Sequence, residues 1–415
     1  MLLIKKNKKE KSATAVKRGH TYYQWIFSLL AGCTHLVYGL ECGWISPTAT
    51  KLQADNSPSG YPLSDEEIAW IASCMSIAAT CVVILYSYTS DRYGRKINII
   101  IIAFLGALAW VIRIFDNSFI CLILARVCAG IAAGGCYNVV LMYIKEISQD
   151  DMRGILCTLT TIFQSVGIFV MYLIGAYLDY YSVIYVIVCI SIMTMLGMML
   201  APESPEILIK EGKIDKAMKT VAFMRGLDEH DQTVQTVVET MMKEAAEFKS
   251  MPDLNILSIL KNKIWRRGFV LIMITFTFSE MNGAFAIITF ASTILTSTGS
   301  EFVISPELLS LSFPVVMVLG SLTVASCIER YGRKPLLIGA YVVSCCCMFG
   351  IVIIIIIQKE AGGVPGWIPV VLMMLIVAMF SGGVCPVTFV ILTEMFNFQI
   401  RAKLMSLVVT YFYYG

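Results

Sequence analysis

The chain reads as long apolar runs separated by short polar breaks. Runs of roughly 20 residues, enough for an α-helix to cross the hydrocarbon of a bilayer, open near Tyr23, Ile68, Ile97, Phe119, Ile155, Val183, Phe269, Leu309, Leu336 and Trp367, and another opens at Leu404. The pattern predicts ten complete membrane spans and the beginning of an eleventh. Helices buried in a soluble protein give apolar stretches of about 10 to 14 residues interrupted by charge; these are longer and nearly uncharged. A polar segment from about Pro202 to Arg267 follows the sixth run, too long for a simple connection between helices. The predicted organisation is a tail over residues 1–22, a first bundle over 23–201 (spans one to six), a helical linker over 202–267, and a second bundle over 268–415 holding spans seven to ten and the start of eleven. Within the linker, Ser204-Pro205-Glu206 combines a capping hydroxyl, a proline at the first turn and an acid near the positive helix end, so short amphipathic helices are expected there.

Composition agrees with this picture. Of 415 residues 57% are hydrophobic and 15% charged, which is more apolar surface than one soluble core can hide. Charge placement sets the orientation. With the N-terminus inside, all but four of the 32 lysines and arginines fall on inside segments; Lys51 and Lys359 lie outside, and Arg113 and Arg126 lie within spans. The positive-inside rule then predicts a multi-pass plasma-membrane protein with a cytoplasmic N-terminus. The start MLLIKKNKKEK is basic but lacks the apolar stretch of a signal peptide. Nearly all of the 14 cysteines fall in predicted spans and read as small packing residues. With three histidines and no Cys-x-x-Cys at zinc spacing, no metal or other cofactor is expected. Neither a nucleophile nor a phosphate loop stands out, so an enzyme is not expected, and no nucleic acid partner is implied.

The two halves repeat one another. Asp91-Arg92-Tyr93-Gly94-Arg95-Lys96 follows span two, and Glu329-Arg330-Tyr331-Gly332-Arg333-Lys334 follows span eight. Glu146 precedes Arg153 by seven residues after span four, and Glu394 precedes Arg401 by seven after span ten. Matched pairs one repeat apart indicate duplicated six-span halves, an arrangement in which a site between the halves can be exposed alternately to either side. Gly94 and Gly332 suit tight loops that need positive φ. The neighbouring Asp91 and Glu329 can accept hydrogen bonds from arginines or from exposed helix N-termini.

These motifs resemble the sugar porter family of the major facilitator superfamily. The likeness is carried by the two Asp/Glu-Arg-x-Gly-Arg-Lys loops, by Tyr143-x-x-Glu146 through Arg153-Gly154, by Pro202-Glu203-Ser204-Pro205 after span six, and by Arg126 opening span four. Gly43-Trp44-x-Ser46-Pro47 and Leu63-Ser64-Asp65-Glu66-Glu67 resemble the arthropod trehalose-transporter-like group within that family. The resemblance covers the chain from span one to its last residue. It implies an all-α membrane protein of two pseudo-symmetric six-helix bundles, the second stopping within span eleven, with a central sugar or polyol site and alternating access. It also implies that Asp91, Arg92, Glu146, Arg153, Glu203, Glu329, Arg330, Arg333, Glu394 and Arg401 form charge pairs closing the cytoplasmic side.

The family's binding positions are mostly replaced. Its span-five glutamine falls on Thr161, with Gln164 one turn along a similar face. Its paired span-seven glutamines fall on Ser279 and Glu280, with Asn282 close by, and its downstream asparagine on Phe285. The span-ten tryptophan position is Phe389, near Pro386, and the span-eleven pair falls on Phe412 and Tyr413. Sugars are held by groups that both donate and accept, with aromatic faces against C–H surfaces. A hexose can therefore bind through Thr161, Gln164, Glu280, Asn282 and Tyr413, in a site more apolar and more acidic than the family's usual one.

Ionisable groups inside a bilayer face a cavity or a partner. His35 reads as a neutral polar residue between helices, Glu41 as lying at the outer headgroup level near Trp44, and Arg126 as meeting Glu41 if it meets any acid. Glu280 lies deep in span seven. Glu280, Glu41 and Arg126 are the candidates for proton coupling, with protons and a sugar or polyol as transported species. The alternative to a carrier is a sensor that binds solute without moving it, or a shortened, inactive form.

Overall fold

The computed structural model describes residues 19–250, 261–297, 309–360 and 365–395. All of the regular structure among them is helical. The first half holds α1 (Tyr22–Gly43), α2 (Ile45–Leu52), α3 (Asp65–Tyr93), α4 (Arg95–Phe115), α5 (Phe119–Gly135), α6 (Leu141–Ile147), α7 (Asp150–Tyr177) and α8 (Tyr180–Leu200). The linker carries α9 (Pro205–Lys210), α10 (Ile214–Arg225) and α11 (Gln232–Ser250). The second half holds α12 (Lys263–Glu280), α13 (Ala284–Thr289), α14 (Ala291–Ser297), α15 (Ser312–Tyr331), α16 (Arg333–Glu360), α17 (Trp367–Met379) and α18 (Cys385–Met395). Nine helical stretches among the described residues are long and apolar enough to cross a membrane. Span eight corresponds to α15, whose apolar described stretch, Ser312–Thr323, is shorter. The run opening at Leu404 lies outside the described residues.

Local chemistry explains where helices begin and end. Ser64 and Glu67 exchange bonds at the start of α3, the serine Oγ accepting from the Glu67 amide at 3.2 Å and the Glu67 carboxylate from the Ser64 amide at 2.8 Å, a reciprocal cap that satisfies two orphan donors. Asn262 caps α12 by accepting from the Ile264 amide at 3.0 Å. The loops joining α3 to α4 and α15 to α16 each consist of one glycine, Gly94 at φ +92° and Gly332 at φ +82°, as the duplicated motif predicts.

The duplication extends to the way helices are bent. Span four contains a wide π turn at Cys136–Val140 between α5 and α6, and span ten contains another at Phe380–Val384 between α17 and α18. A π turn displaces the side chains that follow it and often marks a functional position. Span seven breaks differently: α12 stops at Glu280 and α13 starts at Ala284, with Gly283 at φ +79° between them.

Lipid supplies no hydrophobic drive between helices, so close packing depends on small residues. Where α1 crosses α7, a Cβ on Gly39 would fall on the carbonyl oxygen of Gln164, and one on Gly167 on that of Leu36. Gly154, in the same helix as Gly167, faces open space. The linker packs through Val221, Ala222, Val234 and Val238 and is tied to α1, because Gln24 donates to the Met224 carbonyl at 3.2 Å and accepts from the Gln149 amide at 3.0 Å. Overpacking costs about 1 to 3 kcal/mol. Gly39→Val or Gly167→Val should therefore lower the unfolding temperature in detergent markedly, and Gly154→Ala should leave it within error.

Candidate functional site

On the face that carries the Arg-x-Gly-Arg-Lys loop, the first half builds one charge network, with Arg95 at its centre. The Arg95 guanidinium is buried and bonds Glu146 through Nε at 3.1 Å and Nη2 at 3.0 Å. Its Nη1 reaches Asp91 at 3.0 Å and the Ser90 carbonyl at 2.7 Å. Glu146 also accepts from the Ser204 hydroxyl. Glu203 accepts from the amides of Arg95 and Lys96 at 2.9 and 3.1 Å, which places a carboxylate on the positive end of α4. A Cβ on Gly94 would fall on that carboxylate, so Gly94 supplies clearance as well as a positive φ. Tyr143 donates to the Pro202 carbonyl at 2.9 Å. Three separate sequence motifs thus meet at one place.

This arrangement corrects the expected pairings. Glu146 is held by Arg95, whereas Arg92 turns outward to bond Tyr88 at 2.7 Å and rests on the Tyr88 and Tyr93 rings. Arg153 donates to the Lys145 carbonyl at 3.0 Å. The network ties the α3–α4 loop, the end of α6 and the linker together within one half. In the second half Arg333 opens α16 as Arg95 opens α4. The side chains of Glu329, Arg330 and Glu394 are not among those described, and Arg401 lies outside the described residues.

A second buried charge cluster sits inside the first bundle. Glu41 is 2% exposed, enclosed by the helices of the first bundle near the end of α1. Arg113 binds it with both terminal nitrogens, at 2.9 and 2.8 Å. Arg126 donates to the same carboxylate at 3.1 Å, to the Glu41 carbonyl at 2.8 Å and to the Ile71 carbonyl at 3.1 Å. The Arg113 guanidinium is flanked by Trp44 and Trp110, each ring centre 4.2 Å away. Arg113 stands in the last turn of α4, where an arginine resembles a residue leaving the membrane; the bundle closes over it. A cavity of about 20 Å³ beside Glu41, lined by Thr34, Tyr38, Ser191 and Thr194, has room for one water and none for a sugar.

The remaining polar groups of the spans gather where the halves meet. Cys42, Phe285 and Cys385 pack against both the apolar cluster centred on the first half and the one centred on the second. Around them, the π turn of span four presents Tyr137, which donates to Gln164 and lies edge-on to His35 and Tyr38 at 5.3 and 6.0 Å. The π turn of span ten presents Phe380, edge-on to Phe285 at 5.2 Å. At the break in span seven, Ser279 Oγ, Glu280 Oε1 and both amide atoms of Asn282 are buried with no hydrogen-bond partner, as are both ring nitrogens of His35. Tyr341 and Cys385 lie within electrostatic range of the Glu280 carboxyl; Tyr341 donates to the Thr275 carbonyl at 2.8 Å. Buried polar groups are ordinarily satisfied, so an unpartnered row of this kind marks a place where another molecule completes the bonds.

Of the binding positions expected from sequence, Gln164, Ser279, Glu280, Asn282 and Phe285 have their side chains described here. Gln164, already bonded to Tyr137, is buried, and Thr161 is partly exposed. The Phe389 side chain is not described, and Phe412 and Tyr413 lie outside the described residues. Sequence reasoning passed over Arg95, Arg113, Tyr137, Tyr341 and Phe380. Only the two arginines carried a signal, as basic residues next to a motif glycine and inside a span. Removing one member of a buried ion cluster costs about 3 to 5 kcal/mol, because charges are left without partners. Glu41→Met should sharply reduce the yield of folded protein or its unfolding temperature, and Glu41→Met with Arg113→Met should recover part of that loss in a double-mutant comparison.

Three comparisons bear on this architecture. A facilitated trehalose transporter, Tret1 of Polypedilum vanderplanki, is 23% identical over 390 residues, covering 93% of this chain and 76% of its own. The xylose transporter XylE of E. coli in a partially occluded inward-open conformation superposes with a TM-score of 0.73 at 19% identity, covering 94% of this chain and 92% of that one. A structure of XylE described as a proton:xylose symporter bound to 6-bromo-6-deoxy-D-glucose gives 0.73 at 20% identity, covering 95% and 86%. These likenesses show the major facilitator fold. The family model for sugar (and other) transporters matches residues 21–412, and with nearly the whole chain inside that match, the protein is a multi-pass membrane protein of the sugar transporter family.

Proposed function

We propose that the protein carries a small polyhydroxylated solute, a sugar such as trehalose or a hexose, or a polyol, across the plasma membrane by alternating access. Its N-terminus and its Arg-x-Gly-Arg-Lys face lie in the cytoplasm. The observation that carries this reading is the row of unpartnered polar atoms at Ser279, Glu280 and Asn282, set beside edge-on aromatic pairs where the two halves meet. Hydroxyls of a sugar would fill those bonds, and its C–H faces would rest on Tyr137, Phe285 and Phe380.

The contacts between halves support a carrier caught closed to the outside. Away from the motif face, Ser46 and Ser292 exchange hydrogen bonds, among them Ser292 N to Ser46 Oγ at 3.2 Å, and Tyr172 donates to the Ile288 carbonyl. Nearer the motif face, Ile272 and Phe276 of α12 join the apolar cluster of the first half. Rocking the halves would exchange a polar seam on one side for a closed seam on the other. Glu280, ionised, accepts from solute hydroxyls; taking up a proton, it also donates. The Glu41 cluster, with its carboxylate bonded by both Arg113 and Arg126, holds the first bundle together through the cycle.

Two measurements test these roles. Uptake of labelled trehalose, hexoses and polyols into vesicles should find a transported member; binding without uptake would mark a sensor instead. Transport of that solute should vary with pH, and Glu280→Gln should flatten the profile while retaining uptake. Tyr341 and Cys385, the titratable neighbours of Glu280, should not reproduce the effect as Tyr341→Phe or Cys385→Ala. Arg95→Ala should shift the accessibility of cysteines introduced on the two faces, because it releases the ends of α3 and α6 from the start of α4, and Arg92→Ala should shift it little.

A further inference from the structure

Resting on the carrier reading, we propose that the break in span seven is a cation subsite, and that the solute fills it with a protonated amine. Glu280 ends α12, and the chain turns away at Asn282 and Gly283 before α13 begins. The carboxylate sits at this break beside Ser279 Oγ and Asn282 Oδ1, which are buried without partners. These groups favour a positive partner.

The protein has no such group to offer. The segments from 268 to 329, from 335 to 358, from 360 to 400 and from 404 to 415 contain neither Lys nor Arg, so the second half has no basic residue at the depth of Glu280. In the first half the basic residues within spans are Arg113 and Arg126, and both are spent on Glu41. His35 lies beside Tyr137 rather than against a carboxylate. A buried carboxylate requires a countercharge or a proton, and a solute that brings its own cation supplies one directly. The surroundings suit an ammonium group: Asn282 Oδ1 and Ser279 Oγ are free to accept, and the Phe285 and Phe380 rings stand at the same junction, where an aromatic face attracts a cation. The solute class that satisfies all of these groups is a polyhydroxylated amine, with a 2-amino hexose as the simplest probe.

The test compares D-glucosamine with D-glucose on the purified protein and in proteoliposomes, near neutral pH. A hydrogen bond to a charged group favours the amine by about tenfold or more, so D-glucosamine should bind and enter at least tenfold better than D-glucose. Glu280→Gln should lower D-glucosamine binding at least about tenfold more than it lowers D-glucose binding, erasing the preference, and Glu280→Asp should keep part of it. Should the glutamine variant fail to fold, the parent's preference and its loss on replacing D-glucosamine with neutral N-acetyl-D-glucosamine decide the matter. Equal handling of D-glucosamine and D-glucose would overturn the amine assignment and leave the carrier reading standing. Transport of D-glucose that depends on sodium would overturn it too, by placing a metal ion in the subsite. Failure of all labelled sugars and amines to bind or enter would overturn both.

Discussion

A charge inside the membrane must find a partner, and the interior of this protein is arranged around that requirement. Glu41 draws Arg113 from α4 and Arg126 from α5, and two tryptophans flank the guanidinium of Arg113. One carboxylate thereby fixes the positions of three spans. The same cluster uses both of the basic side chains that lie within spans, and Glu280 is left with none. Order in the first bundle and the unmet need at the break in span seven are therefore two consequences of one constraint.

Departures from regular helix do the positioning. Lipid-facing backbone must be satisfied within its own helix, so irregular turns are tolerated only where protein or a cavity surrounds them. The π turns of spans four and ten are in equivalent places in the two halves, and each brings an aromatic ring to the junction, Tyr137 from one and Phe380 from the other. The break at Gly283 gives span seven a helix end within its length. Close glycine contacts between α1 and α7 keep the scaffold beneath these turns tight enough for them to hold their geometry.

Among the described residues, the motif network organises the helix ends of the first half. Asp91, Arg95, Glu146, Glu203 and Ser204 bind one another within the first half and its linker. Glu203, three residues beyond α8, caps the start of α4. A charge network that fixes helix ends makes a half move as one body, which is what rocking requires. The polar contacts between the halves at Ser46 with Ser292 and at Tyr172 with Ile288 are between neutral groups, which can be exchanged.

Run length and charge placement were enough to give the helical architecture, because a bilayer admits few alternatives to apolar helices of about 20 residues. The duplicated Gly94 and Gly332 loops and the helical linker followed from the same reasoning. Pairings did not. Arg92 and Arg95 are both basic and three residues apart, and only the packing of α3, α4 and α6 decides which one turns inward to Glu146. Arg113 sits one turn from a helix end in the sequence, yet neighbouring helices bury it. Tyr137 and Phe380 carry no mark that separates them from other aromatic residues in apolar runs, since a π turn is set by packing rather than by composition. Local pattern fixes what each segment becomes; the meeting of side chains from segments far apart in the chain depends on how those segments close on one another.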